Sequence, residues 1–200
     1  MNDKLSSKIE KATVTLIENI GRGALIKNNM ILTASHCVNY DLLGEMSLAE
    51  GVNNIEEINT WSGNLKVQPL SIDAISDIAI LGSLDSQDYD SDYDLFEEFC
   101  KNTPPMNISR RELKVNEKLK IHVYTHELKW ISGFGEISFP GSHSLLLYMD
   151  DPLIPGTSGS GIYDEKGELV GIFNKTSPER NFGMATRPLL ALPLWICRKI

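Results

Sequence analysis

The residues best suited to chemistry lie in one serine-containing loop, residues 150–161, which reads DDPLIPGTSGSG. Glycines on both sides of Ser158 tolerate backbone angles that other residues avoid, so the serine can sit on a sharp turn with its hydroxyl exposed. Gly156 lets the backbone N–H groups of Gly156 and Ser158 converge on one point, as an oxyanion hole requires. Alone, the same letters are equally typical of a loop that joins two strands.

A serine nucleophile needs a base and a group that orients the base, and the chain offers one candidate for each. His36 follows the apolar run 31–34, and Asp77 leads the apolar run 78–81. An imidazole can take the serine proton, while a buried carboxylate fixes its tautomer and stabilises its positive charge. A carboxylate at the mouth of a buried strand is costly without a partner. We therefore predict a triad of Ser158, His36 and Asp77.

In this chain order, histidine, aspartate and serine resemble the chymotrypsin-like serine peptidases. The words PGTSGS at 155–160 and GELVG at 167–171 are most similar to the HtrA-type bacterial and flavivirus-type viral branches. The resemblance implies an all-β fold of two six-stranded antiparallel barrels with a short C-terminal helix and the site between the barrels. It also implies an endopeptidase that works through an acyl-enzyme, needs no cofactor or metal, and takes a protein or peptide substrate.

Length and strand patterns agree with that architecture. A chain of 200 residues with 42% hydrophobic content can bury a sizeable core. The apolar runs 23–27 and 30–33 flank a hairpin signal at 27–29. We expect further strands at 119–124, 135–139 and 144–149, a helical turn at 97–102 and the terminal helix at 192–199. The proline pair at 104–105 divides the chain into an N-terminal barrel, 1–103, with His36 and Asp77, and a C-terminal barrel, 104–200, with Ser158.

The resemblance also locates a specificity pocket, and its expected residues are Pro152, Leu153, Phe173, Asn174, Lys175 and Gly183. Six residues before the nucleophile, trypsin-like enzymes carry an acid for basic side chains, but this chain has Pro152. Leu153 and Phe173 at wall positions predict a preference for small or medium apolar P1 residues.

Activation by a cleaved N-terminus is not expected. In digestive relatives the new ammonium pairs with an aspartate just before the nucleophile, and here that residue is Thr157. The segment before the first strand also lacks the Ile-Val-Gly-Gly-like start of those zymogens. A regulatory protein partner that orders residues 152–156 remains compatible with the sequence.

Charge and hydropathy exclude several classes of partner. The net charge is −8 and no basic stripe is present, so we expect no nucleic-acid partner. No apolar run approaches the roughly 18 residues of a membrane span, so we expect no membrane association. The N-terminus lacks the hydrophobic core of a signal peptide, which predicts a cytoplasmic protein.

The cysteines support the same location. There are three, Cys37, Cys100 and Cys197, so at least one is unpaired. Secreted relatives typically bridge the cysteine after the catalytic histidine to one on the neighbouring strand, but the matching position, near Gly21, holds no cysteine here, and Ile154 takes the place of another common bridge cysteine. Such a chain fits a reducing compartment. Cys37 is a weaker rival nucleophile, because free cysteine is ordinarily a small buried residue.

The acidic stretch 85–94 imitates the start of a calcium loop through Asp88, Asp90 and Asp92. Tyr93 and Phe99 stand where such a loop needs glycine and glutamate, so we expect a solvated connector and keep a weak calcium site as the alternative. The remaining histidines, His122, His126 and His143, lack metal-ligand spacing and are expected to be structural or exposed.

Two other classes of function stay open. The same fold can serve as a binding module without catalysis, although the intact triad residues and Gly156 favour an enzyme. An esterase of the α/β-hydrolase type needs serine before the acid and histidine last, the reverse of the order here. We expect no PDZ module after the peptidase region. Quality control, a defence system and viral polyprotein processing are all compatible with the sequence.

Overall fold

The N-terminal half of the protein forms a closed six-stranded barrel. The computed structural model describes residues 2–38, 55–177 and 181–199. The strands of the first barrel are β1 (Thr13–Leu16), β2 (Gly21–Ile26), β3 (Met30–Thr33), β4 (Glu56–Thr60), β5 (Gly63–Asp73) and β6 (Ile78–Gly82). Neighbours pair antiparallel in the order β1-β2-β3-β6-β5-β4, and β1 closes the barrel on β4. Part of the expected loop at 44–63 lies outside the described residues.

The C-terminal half forms a second barrel with the same connectivity. Its strands are β7 (Leu119–Tyr124), β8 (Trp130–Glu136), β9 (Ser144–Met149), β10 (Gly161–Asp164), β11 (Leu169–Thr176) and β12 (Phe182–Thr186). They pair in the order β10-β11-β12-β9-β8-β7, and β10 closes on β7. The prediction of two six-stranded antiparallel barrels is confirmed. The domain division after residue 103 stays a prediction.

Turn chemistry explains where hairpins form. Between β2 and β3, Asn28 and Asn29 have φ values of 61° and 53°. Asparagine tolerates this left-handed region better than most residues, so the expected hairpin at 27–29 forms. The expected strand at 135–139 was misplaced: β8 begins at Trp130 because its ring packs on that of Tyr124, the cross-strand partner, with centroids 5.1 Å apart.

An N-terminal helix, α1 (Asp3–Ala12), was not expected from the sequence. The side chain of Asn2 caps it by accepting a hydrogen bond from the N–H of Leu5 at 2.9 Å. Ile9 is fully buried in the core of the first barrel. On the second barrel, Leu5 packs so closely on Gly167 that a Cβ there would collide with it, and Trp130 Nε1 donates to Glu10 Oε1 at 2.8 Å. The helix therefore contacts both barrels.

A longer helix than predicted, α2 (Asp90–Asn102), connects the barrels. The expected turn at 97–102 is only its last part. Acidic residues at 90 and 92 favour a helix N-terminus, and Phe96, Phe99 and Cys100 share one face that packs into the first core. Asp90 and Asp92 thus lie in the first turn of a helix rather than in an open calcium loop, while residues 85–88 are exposed and lie outside the helix, as expected for a solvated connector.

The C-terminal segment contains two short helices, α3 (Pro188–Ala191) and α4 (Leu194–Cys197), instead of one helix over 192–199. Pro193 separates them, because proline cannot donate the N–H that a continuous helix would need there. In the described part of the chain, no helix is long and apolar enough to cross a membrane. All three cysteines are free, as expected for a chain without bridges.

Replacing Ile9 by alanine should lower the free energy of unfolding by about 2–5 kcal/mol, because it removes a fully buried side chain of α1 from the first core. Urea unfolding followed by circular dichroism measures the change. Ser7→Ala, an exposed position on the same helix, is the control and should change little. Equal midpoints for the two variants would show that α1 does not dock on the barrels.

Candidate active site

The imidazole of His36 and the carboxylate of Asp77 form a direct pair. Nδ1 of His36 lies 2.8 Å from Oδ2 and 3.0 Å from Oδ1 of Asp77. Oδ1 also accepts hydrogen bonds from the backbone N–H of His36 at 3.1 Å and from the hydroxyl of Ser35 at 2.8 Å. These donors hold the carboxylate in one orientation against the histidine, so the structure brings together two of the three predicted triad residues.

Local backbone geometry places both residues. His36 lies in a short 3₁₀ turn, Ser35–Cys37, directly after β3. Asp77 ends the turn before β6 with φ +50°, a conformation that aspartate adopts more readily than most residues. The turn is fixed by Asp73, whose Oδ1 accepts from the N–H groups of Ile75 at 2.9 Å and Ser76 at 3.1 Å.

The pair shifts the pKa of each partner. The hydrogen bond to Asp77, and secondarily the neighbouring Cys37 thiol, raise the pKa of His36 well above its ordinary value, although burial opposes the shift. Burial alone would raise the pKa of the Asp77 carboxyl, but the hydrogen bonds from His36 and Ser35 outweigh it and lower that pKa to about 2. At neutral pH Asp77 is therefore ionised, and His36 is a stronger base than a free imidazole.

Ser158 follows a tight turn at 154–157. The N–H of Thr157 donates to the carbonyl of Ile154 at 3.2 Å, and Gly156 has φ +84°. Proline at the second position and a left-handed glycine at the third define a type II β-turn. Next to the nucleophile, Gly159 also has a positive φ, +80°. The serine thus sits between two turns that glycine makes accessible, as the sequence predicted.

The first barrel holds the backbone of Ser158 directly. Its carbonyl accepts from the N–H of Arg22 at 2.8 Å, and Gly159 lies so close to the carbonyl of Arg22 and the hydroxyl of Thr33 that no side chain fits. A Cβ on Gly21 would be 3.6 Å from the Ser158 carbonyl oxygen and 2.6 Å from Cys37 Sγ. Ser158 and the turn that carries His36 therefore both lie beside Gly21.

Asn174 links the serine to the aspartate turn from the second barrel. Its carbonyl accepts from Ser158 Oγ at 3.3 Å, and its side-chain Nδ2 donates to the carbonyl of Asp77 at 3.0 Å and to Thr186 Oγ1 at 3.1 Å. The side chain thus contacts the Asp77 turn, a role that the expected pocket position did not indicate. A bulge in β11 between Phe173 and Lys175 gives it this direction.

Backbone donors at the nucleophile fall into two groups. The N–H groups of Thr157, Gly159 and Ser160 donate to carbonyls at 2.8–3.2 Å. Within the described residues, the N–H groups of Gly156 and Ser158 have no such acceptor. These two are the donors expected to form an oxyanion hole. Among the same residues, no hydrogen bond joins Ser158 Oγ to His36 in this conformation.

The expected pocket residues are only partly assembled. Leu153 and Phe173 are buried and flank Gly183, where a Cβ would lie 3.0 Å from Leu153 Cδ1 and 2.9 Å from Phe173 Cε2. Pro152 is exposed on its loop. Lys175 is also exposed and lines a cavity of about 140 Å³ beside Asp77.

Two residues near the site were not expected to contribute. Arg22 is almost fully buried, with its guanidinium carbon 5.0 Å from the ring centroid of Tyr124, and burial lowers its pKa. His126 lies against Gly156. Neither carries a motif, so only the three-dimensional structure reveals their positions. Cys37 is buried, which keeps its thiol from acting as an accessible nucleophile.

The other two histidines, His122 and His143, make no hydrogen bond to the triad residues among the described residues. The Nδ1 of His122 lies 2.9 Å from Ser132 Oγ, and burial lowers the pKa of His122. His143 is exposed and lines the cavity beside Asp77. Within the described ranges, no group of three or more histidine, cysteine or acidic side chains could hold a metal ion.

Comparison with known proteins identifies the architecture. No protein-family model and no curated protein sequence matches this chain. Solved structures do match: an inactive form of Rv3671c from M. tuberculosis has a TM-score of 0.63 at 14% identity over 93% of this chain and 85% of its own. The serine endoprotease of Yersinia pestis has a TM-score of 0.63 at 19% identity, and the aligned region is 96% of this chain but only 64% of that protein.

A viral structure matches as well. The human pathogenic astrovirus serine protease has a TM-score of 0.59 at 15% identity, over 92% of this chain and 94% of its own. These identities are low, so the likeness concerns the backbone rather than particular side chains. The chain has the chymotrypsin fold, the double-barrel architecture of these serine proteases.

Proposed function

We propose that this protein is a serine endopeptidase with the triad Ser158, His36 and Asp77. One observation carries the proposal: the carboxylate of Asp77 is bonded to Nδ1 of His36, while Asn174 ties the same turn to Ser158. The fold shared with serine proteases supports it. An imidazole held by a carboxylate next to a serine on a glycine turn is the arrangement that activates a hydroxyl for acyl transfer.

The first half of the reaction transfers the acyl group to the enzyme. The hydroxyl of Ser158 rotates from the Asn174 carbonyl to the imidazole, gives its proton to His36, and attacks the carbonyl carbon of the scissile peptide bond. The N–H groups of Gly156 and Ser158 stabilise the oxyanion that forms. His36 then returns the proton to the departing amine, and the acyl-enzyme remains on Ser158.

The second half releases the acyl group. His36 takes a proton from water, the resulting hydroxide attacks the ester carbonyl, and the proton passes back to Ser158 Oγ as the acid product departs. Asp77 stays ionised throughout, because its pKa is far below neutrality. Its role is to orient the imidazole and to stabilise the imidazolium.

An extended peptide fits the edge of β11. Residues 175–176 pair with β12 on one side, while β10 pairs with β11 only through 169–172. The edge that continues from Asn174 can therefore accept a substrate as an added strand. Next to it, Leu153 and Phe173 pack closely on Gly183, and these apolar walls support a preference for small or medium apolar P1 side chains.

We also propose that no cleaved N-terminus activates the enzyme. Thr157 is fully buried and uncharged, so it cannot pair with an inserted ammonium. Three free cysteines support a reducing, cytoplasmic location. Control by a protein that orders residues 152–156 remains part of the proposal.

A binding module on the same fold is the second candidate. It is favoured by the hydrogen bond from Ser158 Oγ to Asn174, since the hydroxyl is not bonded to the base in this conformation. Serine–histidine geometry often tightens only when substrate binds, so we rank the enzyme first.

Ser158→Ala should abolish cleavage of casein, with a loss on the order of 10⁶ in kcat, because the nucleophile is removed. The fold should remain intact, since the hydroxyl makes a single 3.3 Å hydrogen bond. Ser86→Ala, at an exposed serine in the turn before α2, is the control and should keep cleaving. A Ser158→Ala protein that cleaves at the parent rate would rule out the mechanism.

The pH dependence of kcat/KM should report the raised pKa of His36. The base must be deprotonated, so the rate should rise with pH and reach half its maximum above pH 6.5, the ordinary pKa of histidine. In Asp77→Asn the stabilising charge is gone, so the midpoint should shift to lower pH and the maximum should fall by roughly 10⁴. Asp73→Asn, in the same turn but without contact to His36, should keep the midpoint. A midpoint that does not move in Asp77→Asn would contradict the assigned pair.

Leu153→Ala should enlarge the pocket beside Gly183 and shift the P1 preference from small apolar residues towards larger ones such as phenylalanine. Profiling on a peptide library measures the shift. Leu145→Ala, the same truncation of a fully buried leucine in this core, controls for lost stability and should leave the profile unchanged. A dominant preference of the parent enzyme for arginine or lysine would overturn the pocket assignment.

A further inference from the structure

The turn that supplies one oxyanion donor has two accessible states. In the observed type II turn, Gly156 has φ +84° and the N–H of Thr157 bonds to Ile154. A type I turn keeps the same ends and the same hydrogen bond but reverses the Pro155–Gly156 peptide and needs φ of about −90° at the third position. Proline at the second position suits both types, and glycine adopts both φ values.

Reversal of that peptide would remove the oxyanion donor. The N–H of Gly156 and the carbonyl of Pro155 belong to the same planar unit and point in opposite directions. When the unit turns over, an acceptor replaces the donor at that position. The local sequence therefore permits the turn without fixing the orientation that catalysis needs, and a contact from elsewhere in the fold must select it.

His126 makes such a contact. A Cβ built on Gly156 would lie 3.0 Å from Cγ, 3.3 Å from Cβ and 3.3 Å from Cδ2 of His126, so the imidazole occupies the space directly beside the glycine α-carbon. The contact therefore involves the glycine whose backbone angle distinguishes the two turn types.

The position of His126 is itself fixed by the hairpin between β7 and β8. The N–H of Thr125 donates to the carbonyl of Lys129 at 2.8 Å, and the N–H of Leu128 donates to the carbonyl of Thr125 at 3.0 Å. The hydroxyl of Ser160, just after the nucleophile, donates to the carbonyl of Tyr124 at 3.3 Å. The hairpin and the nucleophile loop are thus joined on both sides of Ser158.

We propose that His126 is a positioning residue that holds the Pro155–Gly156 peptide in its type II orientation and so keeps the Gly156 N–H directed at the oxyanion. The proposal rests on the proposed peptidase function, because it assigns this residue a part in the same reaction. The ring acts through its shape and contact, and no proton transfer by the imidazole is involved.

Kinetics of His126→Ala and His126→Phe test the role. Without the ring, kcat should fall by at least about 10-fold, towards the 10²–10³-fold loss seen when an oxyanion donor is removed, while KM stays within about 2-fold of the parent value. Phenylalanine supplies a ring of similar shape without titratable nitrogens, so it should restore most of kcat. Glu127→Ala, the adjacent exposed residue on the same turn, is the control and should match the parent.

The amide resonance of Gly156 in ¹⁵N-glycine-labelled protein gives a readout that does not depend on activity. It should broaden in His126→Ala, because the peptide then exchanges between both orientations, and sharpen again in His126→Phe. The proposal is overturned if this resonance does not broaden in His126→Ala, if kcat is unchanged, or if His126→Phe stays as slow as His126→Ala. If the parent protein fails to cleave any peptide, the proposed function fails, and the resonance alone still decides whether His126 holds the turn.

Discussion

The carboxylate of Asp77, bonded to the imidazole of His36, is the interaction on which the rest of the site depends. A half-buried carboxylate is costly unless donors surround it, and here the histidine ring, a backbone N–H and the hydroxyl of Ser35 supply them. The same bonds orient the imidazole and strengthen it as a base. The cost of burying the charge is thus offset by contacts that also prepare the base.

This pair is useful only if the two barrels keep a fixed relation, because the nucleophile comes from the second barrel. Backbone contacts provide that relation: the carbonyl of Ser158 bonds to Arg22, and Gly159 packs against the same strand without room for a side chain. In addition, the side chain of Asn174, from the second barrel, donates a hydrogen bond to the carbonyl of Asp77. Helix α1 adds contacts to both barrels away from the site. Gly159 and Asn174 therefore help to hold the two barrels in the arrangement that the site needs.

The parts of the structure that local chemistry determines could be predicted from the sequence. The hairpin at 27–29 and the glycine turns around Ser158 follow from residues that tolerate a positive φ, and the residue types and order of His36 and Asp77 indicate a pair. Tertiary contacts determine the rest. Helix α1 is short and polar, and it docks on the barrels because Ile9 is buried in the first core and Leu5 packs against Gly167 of the second barrel. The direction of the Asn174 side chain depends on a bulge, and nothing in the sequence near His126 indicates that it meets Gly156.

Reaction with a fluorophosphonate probe tests the central claim, that these contacts make Ser158 a working nucleophile, most directly. The serine hydroxyl displaces fluoride from the probe, and the phosphonyl adduct resembles the tetrahedral intermediate, so labelling is fast only at an activated hydroxyl whose oxyanion site is formed. The account predicts one label per chain, mapped by mass spectrometry to Ser158, with greatly slowed labelling when His36 is replaced by alanine. A folded protein that takes no label, or that is labelled equally well without His36, would contradict it and favour a binding module on the same fold.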